Sequence, residues 1–379
     1  MRLSSLSLTA VRSYPALALE LGPGLTVVCG ENGQGKSNLL EACYLLALGR
    51  SYRAATDRDL IAWDAVSAGT AALIAARIER AAGPLEARVG LEASGEANVL
   101  KRVRLNGVAK RAADLVGALA AVLFSADDLA LISGPPAGRR RYLDVLLSQA
   151  SHPYLRSLQH YQRVLTQRNA LLKGLKEGRA REDELAYWDD ALAAGAASLL
   201  AARYGAVSRL APLAAEAYAR LAGDGRAFSV GYAGTVPFAG EAPSPADAAA
   251  ALAASRGQER ARGMTVVGPH RDDLRLTLDG VEMARHASRG QQRLAALALR
   301  LAEGRWLAAR RGEQPVVLLD DVLSELDAQR RAQVLEEVAG ADQVIVTTAD
   351  LGLLPWAALA GARVLRVAGG MLEAQEAAR

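Results

Sequence analysis

Cysteine, histidine, lysine and aromatic residues are all scarce in this chain. Two of its 379 residues are Cys and four are His. That is too few, and too scattered, for a zinc site or a disulfide framework. Cys29 and Cys43 read as small buried residues of a reducing compartment. Aromatics make up 4% of the chain, while alanine inflates a hydrophobic share of 51%, the balance of a soluble, helix-rich protein. No uncharged apolar run reaches the roughly 18 residues of a membrane span. The segment Met1–Leu8 alternates like a strand and lacks the apolar core of a signal peptide. A cytoplasmic location and no membrane partner are expected. Net charge is +4, which permits a polyanionic partner without requiring one.

Only five of the 45 basic residues are lysine, and one of them sits in a demanding context. Gly30, Glu31, Asn32, Gly33, Gln34, Gly35, Lys36 and Ser37 fit G-x-x-x-x-G-K-[ST] without a gap. Glycines let backbone N–H groups converge on a phosphate, a lysine reaches the β/γ oxygens, and a serine hydroxyl can ligate Mg²⁺. The flanks agree: Leu25–Cys29 reads as a short buried strand and Ser37–Leu46 as a helix whose N-terminus faces the phosphates. These residues predict a nucleoside triphosphate site.

Strand patterns fill residues 1–29 (Leu3–Leu8, Leu17–Leu21, Leu25–Cys29) and 66–108 (Ala71–Ile78, Glu86–Leu91, Val99–Leu105), with Asn106-Gly107 as a hairpin turn. From about residue 112 the texture becomes helical. Tyr154, Leu158, Tyr161, Leu165, Leu172 and Leu175 recur at alternating spacings of four and three, with Arg168 as a misfit. Leu185, Trp188, Leu192, Gly195, Leu199 and Ala202 repeat the pattern. The loop Glu177–Asp183 makes the two segments antiparallel neighbours, and Pro212 is expected to end or kink the second. Residues 223–262 are less legible, with Phe228–Tyr232 as a candidate strand. Strands at Met264–Val267 and Leu274–Leu278 follow, then a helix at 289–311, a strand at Val316–Leu319, a helix at Asp327–Val338 and strands at Val344–Thr347 and Val364–Val367.

Pro315–Asp321 is an apolar strand ending in acids, the Walker B pattern. It predicts Asp320 beside a Mg²⁺ shared with Ser37, and Asp321 where a base polarises attacking water. Ser288-Arg289-Gly290-Gln291-Gln292 opens a helix and offers a second anion site. Alone it is an N-cap turn. Together with the phosphate loop, Walker B and the D-loop-like Ser324–Asp327, in that order, it reads as an ABC-type signature. The expected fold is α/β, an ABC-type (SMC-head-like) P-loop ATPase lobe from residues 1–111 plus 263–379. A second, largely α-helical lobe without a long coiled coil takes residues 112–262.

GENGQGKSNLLEA, FSADDLALISGPPAGRRRYLD (124–144), GPHRDDL (268–274), SRGQQR (288–293) and LLDDVLSELD (318–327) resemble, in order and across nearly the whole chain, the RecF family of bacterial DNA-repair ATPases. The resemblance implies ATP and Mg²⁺ as cofactors and an ATP-dependent homodimer. Ser288, Gly290 and Gln291 would then contact the partner's nucleotide. It also implies binding to double-stranded and gapped DNA and single-strand/duplex junctions. Partnership with RecR and RecO to load RecA, and support of the SOS response, come with it. Three features depart from the general ABC pattern. Asp321 stands where transporters carry Glu, which implies a weak, slow ATPase; the signature is SRGQQ; and no switch histidine follows Thr347-Thr348-Ala349-Asp350. No Q-loop glutamine is evident; Phe124–Asp128 is the candidate region, with its carboxylates as candidate contacts to the Mg²⁺ shell.

Arg139, Arg140, Arg141 and Arg163 are the candidate DNA contacts, against a plain reading as a solvated helix face. Few aromatics interleave, so contact with phosphates is expected rather than base readout. His270 is read evenly as part of a structural turn or of the ATP-site network. Two rival functions remain, a transporter's cytosolic ATPase subunit and an SMC-like structural protein. The long separation between Lys36 and Ser288 opposes the first, and the short helical pair opposes the second.

Overall fold

The computed structural model describes residues 1–67, 69–94 and 98–375. These divide into two compact units. Met1–Asp128, Arg220–Gly223 and Ala296–Arg379 form the first, and Leu129–Ala219 with Asp224–Ala295 form the second.

The chain starts in the first unit with β1 (Arg2–Val11), β2 (Tyr14–Glu20), β3 (Gly24–Cys29), α1 (Lys36–Leu48), α2 (Trp63–Ser67), β4 (Ala72–Glu79), β5 (Leu85–Ser94), β6 (Asn98–Leu105), β7 (Val108–Lys110) and β8 (Ala121–Ser125). It passes through the second unit as α3 (Leu129–Ser133), α4 (Pro136–Ala150), α5 (His152–Lys176), all but the last three residues of α6 (Leu185–Ala222), β9 (Phe228–Ala233), α7 (Pro245–Arg262), β10 (Asp273–Leu278), β11 (Val281–Glu282), α8 (Met283–His286) and the start of α9 (Arg289–Arg311). It returns as β12 (Val316–Asp320), α10 (Ala328–Val338), β13 (Gln343–Thr348), α11 (Trp356–Leu359), β14 (Arg363–Ala368) and β15 (Met371–Gln375).

Two sheets build the first unit. One is antiparallel, ordered β2-β1-β4-β5-β6-β7. Its strands alternate buried and exposed positions, as in Ala72–Glu79, so one face is solvated. The other is ordered β15-β14-β3-β13-β12-β8, parallel except for its edge strand β15. Neighbouring strands β3, β13, β12 and β8 are mostly buried apolar runs, GLTVVC, QVIVTT, VVLLD and AVLFS, as cover on both faces requires. Helix α1 is buried on all sides, including Leu39, Leu40, Cys43, Leu45 and Leu46.

The boundaries differ from the expected 112–262 lobe. Residues 112–128 stay in the first unit because Ala121–Ser125 pairs in parallel with Val316–Asp320. A short apolar run cannot be told from a helical segment by periodicity, and here the run is a strand. Residues 263–295 join the second unit because β10 pairs with β9 there. Met264–Val267 is not a strand. Thr265, fully buried, is instead held by Asn169 and Arg168.

Within the second unit α5 and α6 form the expected antiparallel pair. The buried seam of α5 is Tyr154, Leu158, Tyr161, Val164, Arg168 and Leu172. Val164 replaces the expected Leu165 because a straight helix drifts from a strict seven-residue repeat. The misfit Arg168 is fully buried, 2.8 Å from Asp189 of α6 and 2.6 Å from Glu259 of α7. Gly195 lets α6 approach Tyr161, since a Cβ there would lie 3.2 Å from that ring. Pro212 does not end α6, which continues to Ala222. The stretch Glu182–Ala222 is long and apolar enough to cross a bilayer. Half of its apolar window is buried, however, and Arg203 within it pairs with Asp144 at 2.7 Å, as in a core helix.

Candidate nucleotide site

The phosphate loop joins β3 to α1. Gly30 and Gly35 both adopt positive φ, 156° and 114°. A Cβ on Gly30 would lie 2.5 Å from the Val367 carbonyl oxygen, and one on Gly35 would lie 2.5 Å from Ser13 Oγ. Only glycine fits either place. Around the loop, Tyr14 OH donates to the Gly35 carbonyl at 3.0 Å, Asn38 to Ser13 Oγ at 2.9 Å, and the Gly369 N–H to Gln34 Oε1 at 2.7 Å. Lys36 is buried at 6% exposure. Its ammonium donates to the Gly30 and Glu31 carbonyls at 2.6 and 2.9 Å and to Asn32 Oδ1 at 3.4 Å. The lysine is thus folded into the concave side of its own loop.

β12 delivers Asp320 to the same end of the sheet. Ser37 Oγ donates to Asp320 Oδ1 at 2.7 Å. Two further side chains hold the Asp320 carboxylate. Thr347 of β13, paired with Asp320 in the parallel register, donates to Oδ1 at 3.0 Å and accepts the Asp321 N–H at 3.0 Å. Tyr52 OH donates to Oδ2 at 2.7 Å. Burial, and next the Asp320 carboxylate, push the Tyr52 phenol far up, so it remains a donor. The Thr347 contact was legible only through strand register; Tyr52 carries no sequence signal at all.

Asp321 has φ 52° and ψ 22°, the left-handed region that Asp tolerates better than longer side chains. Its Oδ1 is buried without a hydrogen-bond partner. An orphaned buried carboxylate oxygen, a Ser–Asp pair and a glycine cradle suit a triphosphate with a divalent cation. Ser37 and Asp320 would hold the cation, and Lys36 and the loop amides the phosphates.

The signature residues lie in the second unit. Ser288 and Gly290 are exposed. Ser288 Oγ accepts the Gln291 N–H at 3.3 Å while Gln291 Oε1 accepts the Ser288 N–H at 2.9 Å, the reciprocal capping box. Gln291 therefore serves its own helix start. Buried Gln292 ties that start to the Met283 and Ala287 carbonyls, both at 3.2 Å.

Several expected contacts are corrected. Arg139 is not a free phosphate ligand: it is buried, bidentate to Asp273 at 2.7 and 2.8 Å, with its third nitrogen 2.8 Å from the Gly134 carbonyl. Arg140 donates to the Asp272 carbonyl at 2.8 Å. Arg141 and Arg163 are exposed. Asp128 does not reach toward a metal shell; it accepts the Ser125 N–H at 2.9 Å and pairs with Arg300 at 2.6 Å. His270 belongs to a structural turn. It bonds Tyr161 OH at 2.7 Å and faces the Thr265 carbonyl at 3.3 Å, and burial pulls it down to about 4.

Residues 2–367 match the RecF/RecN/SMC N-terminal domain family. The chain is 45% identical, over 95% of its length and 96% of the relative's, to the DNA replication and repair protein RecF of Chloroflexus aurantiacus. The chain belongs to the RecF family. The RecF of Roseiflexus castenholzii is 42% identical over 92% of this chain and 93% of its own. Among solved structures, the recombination mediator protein RecF with ATP in the RecFOR pathway superposes with a TM-score of 0.88 at 28% identity. It covers 99% of this chain and 97% of that one. An Smc head bound to the C-terminal winged-helix domain of ScpA, at 16% identity and TM-score 0.55 over 99% of this chain and 98% of that one, shares the fold. RecF membership displaces the transporter-subunit and SMC-structural readings.

Proposed function

We propose that this RecF family member is an ATP-gated DNA-binding protein of replication and recombinational repair. Two copies close on each other across two ATP molecules, the dimer grips duplex or gapped DNA, and slow hydrolysis releases it. Work alongside RecR and RecO in RecA loading, support of the SOS response and a cytoplasmic location complete the reading. The observation that carries it is the Ser37–Asp320 hydrogen bond of 2.7 Å at the mouth of a glycine-cradled loop.

Lys36 and the loop amides bind the phosphates, and Ser37 with Asp320 would hold a cation that offsets the phosphate charge. Asp321, locked by Thr347 through its backbone N–H, is the base toward a water. An aspartate reaches less far than a glutamate, which fits ATP as a timer for a population shift more than as fuel. Ser288 and Gly290, exposed at the head of α9, supply the anion site to the partner copy's nucleotide. Arg141 and Arg163 remain the candidate phosphate contacts of the second unit.

The test is molar mass in solution with Mg-ATP, with ADP and without nucleotide, each with and without a short duplex, for the wild type, Lys36→Ala and Ser288→Arg. ATP should double the mass, duplex should strengthen the effect, and Ser288→Arg should bind ATP yet stay monomeric. A mass indifferent to ATP while DNA still binds rejects the gated-dimer mechanism.

A further inference from the structure

Asp320 is fixed at both carboxylate oxygens. Ser37 and Thr347 occupy Oδ1, and Tyr52 alone occupies Oδ2 at 2.7 Å. The loop that presents Tyr52 is itself heavily braced. Ser51, buried at 7% exposure, donates to Glu41 of α1 and accepts the Arg53 and Ala54 N–H groups at 2.9 and 2.8 Å. Glu41 is fully buried and held bidentate by Arg12, both contacts at 2.9 Å. The Tyr52 ring meets Tyr44 edge to face, with centroids 5.8 Å apart and planes at 83°. A tyrosine serving only as a cover over the sheet end would need its ring alone. Here an Arg12–Glu41–Ser51 chain and an aromatic edge fix where the hydroxyl points, and it points at one oxygen.

We propose that Tyr52 is a positioning residue for Asp320. It holds the carboxylate plane so that Oδ1 stays directed at Ser37, and thereby sets the Mg²⁺ concentration at which nucleotide binding becomes metal-assisted. The inference rests on the nucleotide reading above. Asp320 turns about its terminal torsion, which is soft for a carboxylate, and groups that orient a metal-ligating carboxylate are worth about 10- to 100-fold in metal affinity. Tyr52 would not touch phosphate or water itself. Its effect should therefore appear in the metal dependence of binding and be absent from metal-free binding.

The experiment is calorimetric titration of ATP into the full chain, first in EDTA and then across a Mg²⁺ series, for wild type, Tyr52→Phe and Tyr52→Leu. Phe keeps the ring against Tyr44 and deletes the hydroxyl; Leu deletes both. Metal-free ATP affinity in Tyr52→Phe should stay within about twofold of wild type, and its Mg²⁺ midpoint should rise about tenfold, with Tyr52→Leu rising at least as far. A Tyr52→Phe midpoint matching wild type while Tyr52→Leu shifts would mean that only the ring matters, and overturns the proposal. So would an equal loss of affinity with and without Mg²⁺, which marks a purely structural role. If the wild type binds no ATP, the nucleotide reading falls and this one with it; if it binds and Tyr52→Phe is unchanged, only this one falls.

Discussion

Ser37 donates its hydroxyl proton to Asp320 Oδ1 over 2.7 Å, joining residues 283 positions apart. A hydrogen bond to a charged group contributes roughly 1.5–3 kcal/mol, so Ser37→Ala should weaken Mg²⁺-dependent ATP binding by about 10- to 100-fold. Asp320→Asn should do at least as much while leaving binding in EDTA nearly unchanged. Titration calorimetry with and without Mg²⁺ reads both effects, and equal losses in the two conditions would remove this pair from the metal site.

Arg168 carries a buried charge shared by two acids. Asp189 keeps a second cation, Arg256, whereas fully buried Glu259 has Arg168 as its ion-pair partner. Arg168→Met should therefore cost about 3–5 kcal/mol by stranding Glu259. Adding Glu259→Gln should recover part of that loss, because the stranded charge is gone. Urea unfolding of the single and double variants decides it; a double variant no more stable than the single one refutes the argument.

The candidate DNA arginines of α4 and α5 should separate by role. Arg139→Ala breaks a bidentate pair with Asp273 and should lower the unfolding midpoint. Arg141→Glu and Arg163→Glu, on exposed side chains, should leave that midpoint in place. Each that touches a DNA phosphate should reduce the slope of log affinity against log salt by about one. Fluorescence anisotropy with a labelled duplex over a salt series distinguishes them, and unchanged slopes in both would move the DNA surface elsewhere.

His270 links stability to pH. Its folded value, about 4, lies below the ordinary 6.5 because burial disfavours the charged form. Above pH 6.5 the ring is neutral folded or unfolded and contributes no slope. Between pH 6.5 and about 4 only the unfolded chain takes up the proton, so stability falls as pH drops, by about 3 kcal/mol in all. His270→Asn should flatten that segment of the stability-against-pH curve, whatever it does to the plateau near neutrality.

The thiols should be silent in the native protein. Cys29 and Cys43 are buried thiols outside any disulfide, and burial pushes Cys43 up to about 12. Neither should react with a disulfide probe at pH 8 within minutes, and both should react at once in guanidinium. Rapid native labelling would show that the end of β3 or the middle of α1 opens.

Legibility in the sequence followed the distance over which each signal acts. The phosphate loop, the Walker B strand and the signature turn are local patterns, and α9 runs over residues 289–311 as its periodicity predicts. Helix α7 also carried local signals, Ser244 with Asp247 in a capping box and Pro245 at the first turn, hidden by an alanine-rich interior with little apolar contrast. β8 carries no strand signal of its own, because its identity comes from pairing with β12, nearly two hundred residues later. Arg168 looked like a flaw in an apolar seam because its partners Glu259 and Asp189 lie on other helices. Thr347 becomes a neighbour of Asp320 only through the parallel register of β12 and β13, and Tyr52 only through the fold of the loop after α1.

The strand order β15-β14-β3-β13-β12-β8 has a consequence for the protein's birth. β3, which carries the phosphate loop, is flanked on both sides by strands from the end of the chain. At ribosomal speeds of about 5–20 residues per second, the loop emerges roughly 15–60 s before Asp320 is made. Through that interval an apolar strand and helix wait without sheet neighbours. A truncated chain ending before residue 316 should be unable to capture nucleotide, so an ATP-competent copy must have been translated at least past Asp320.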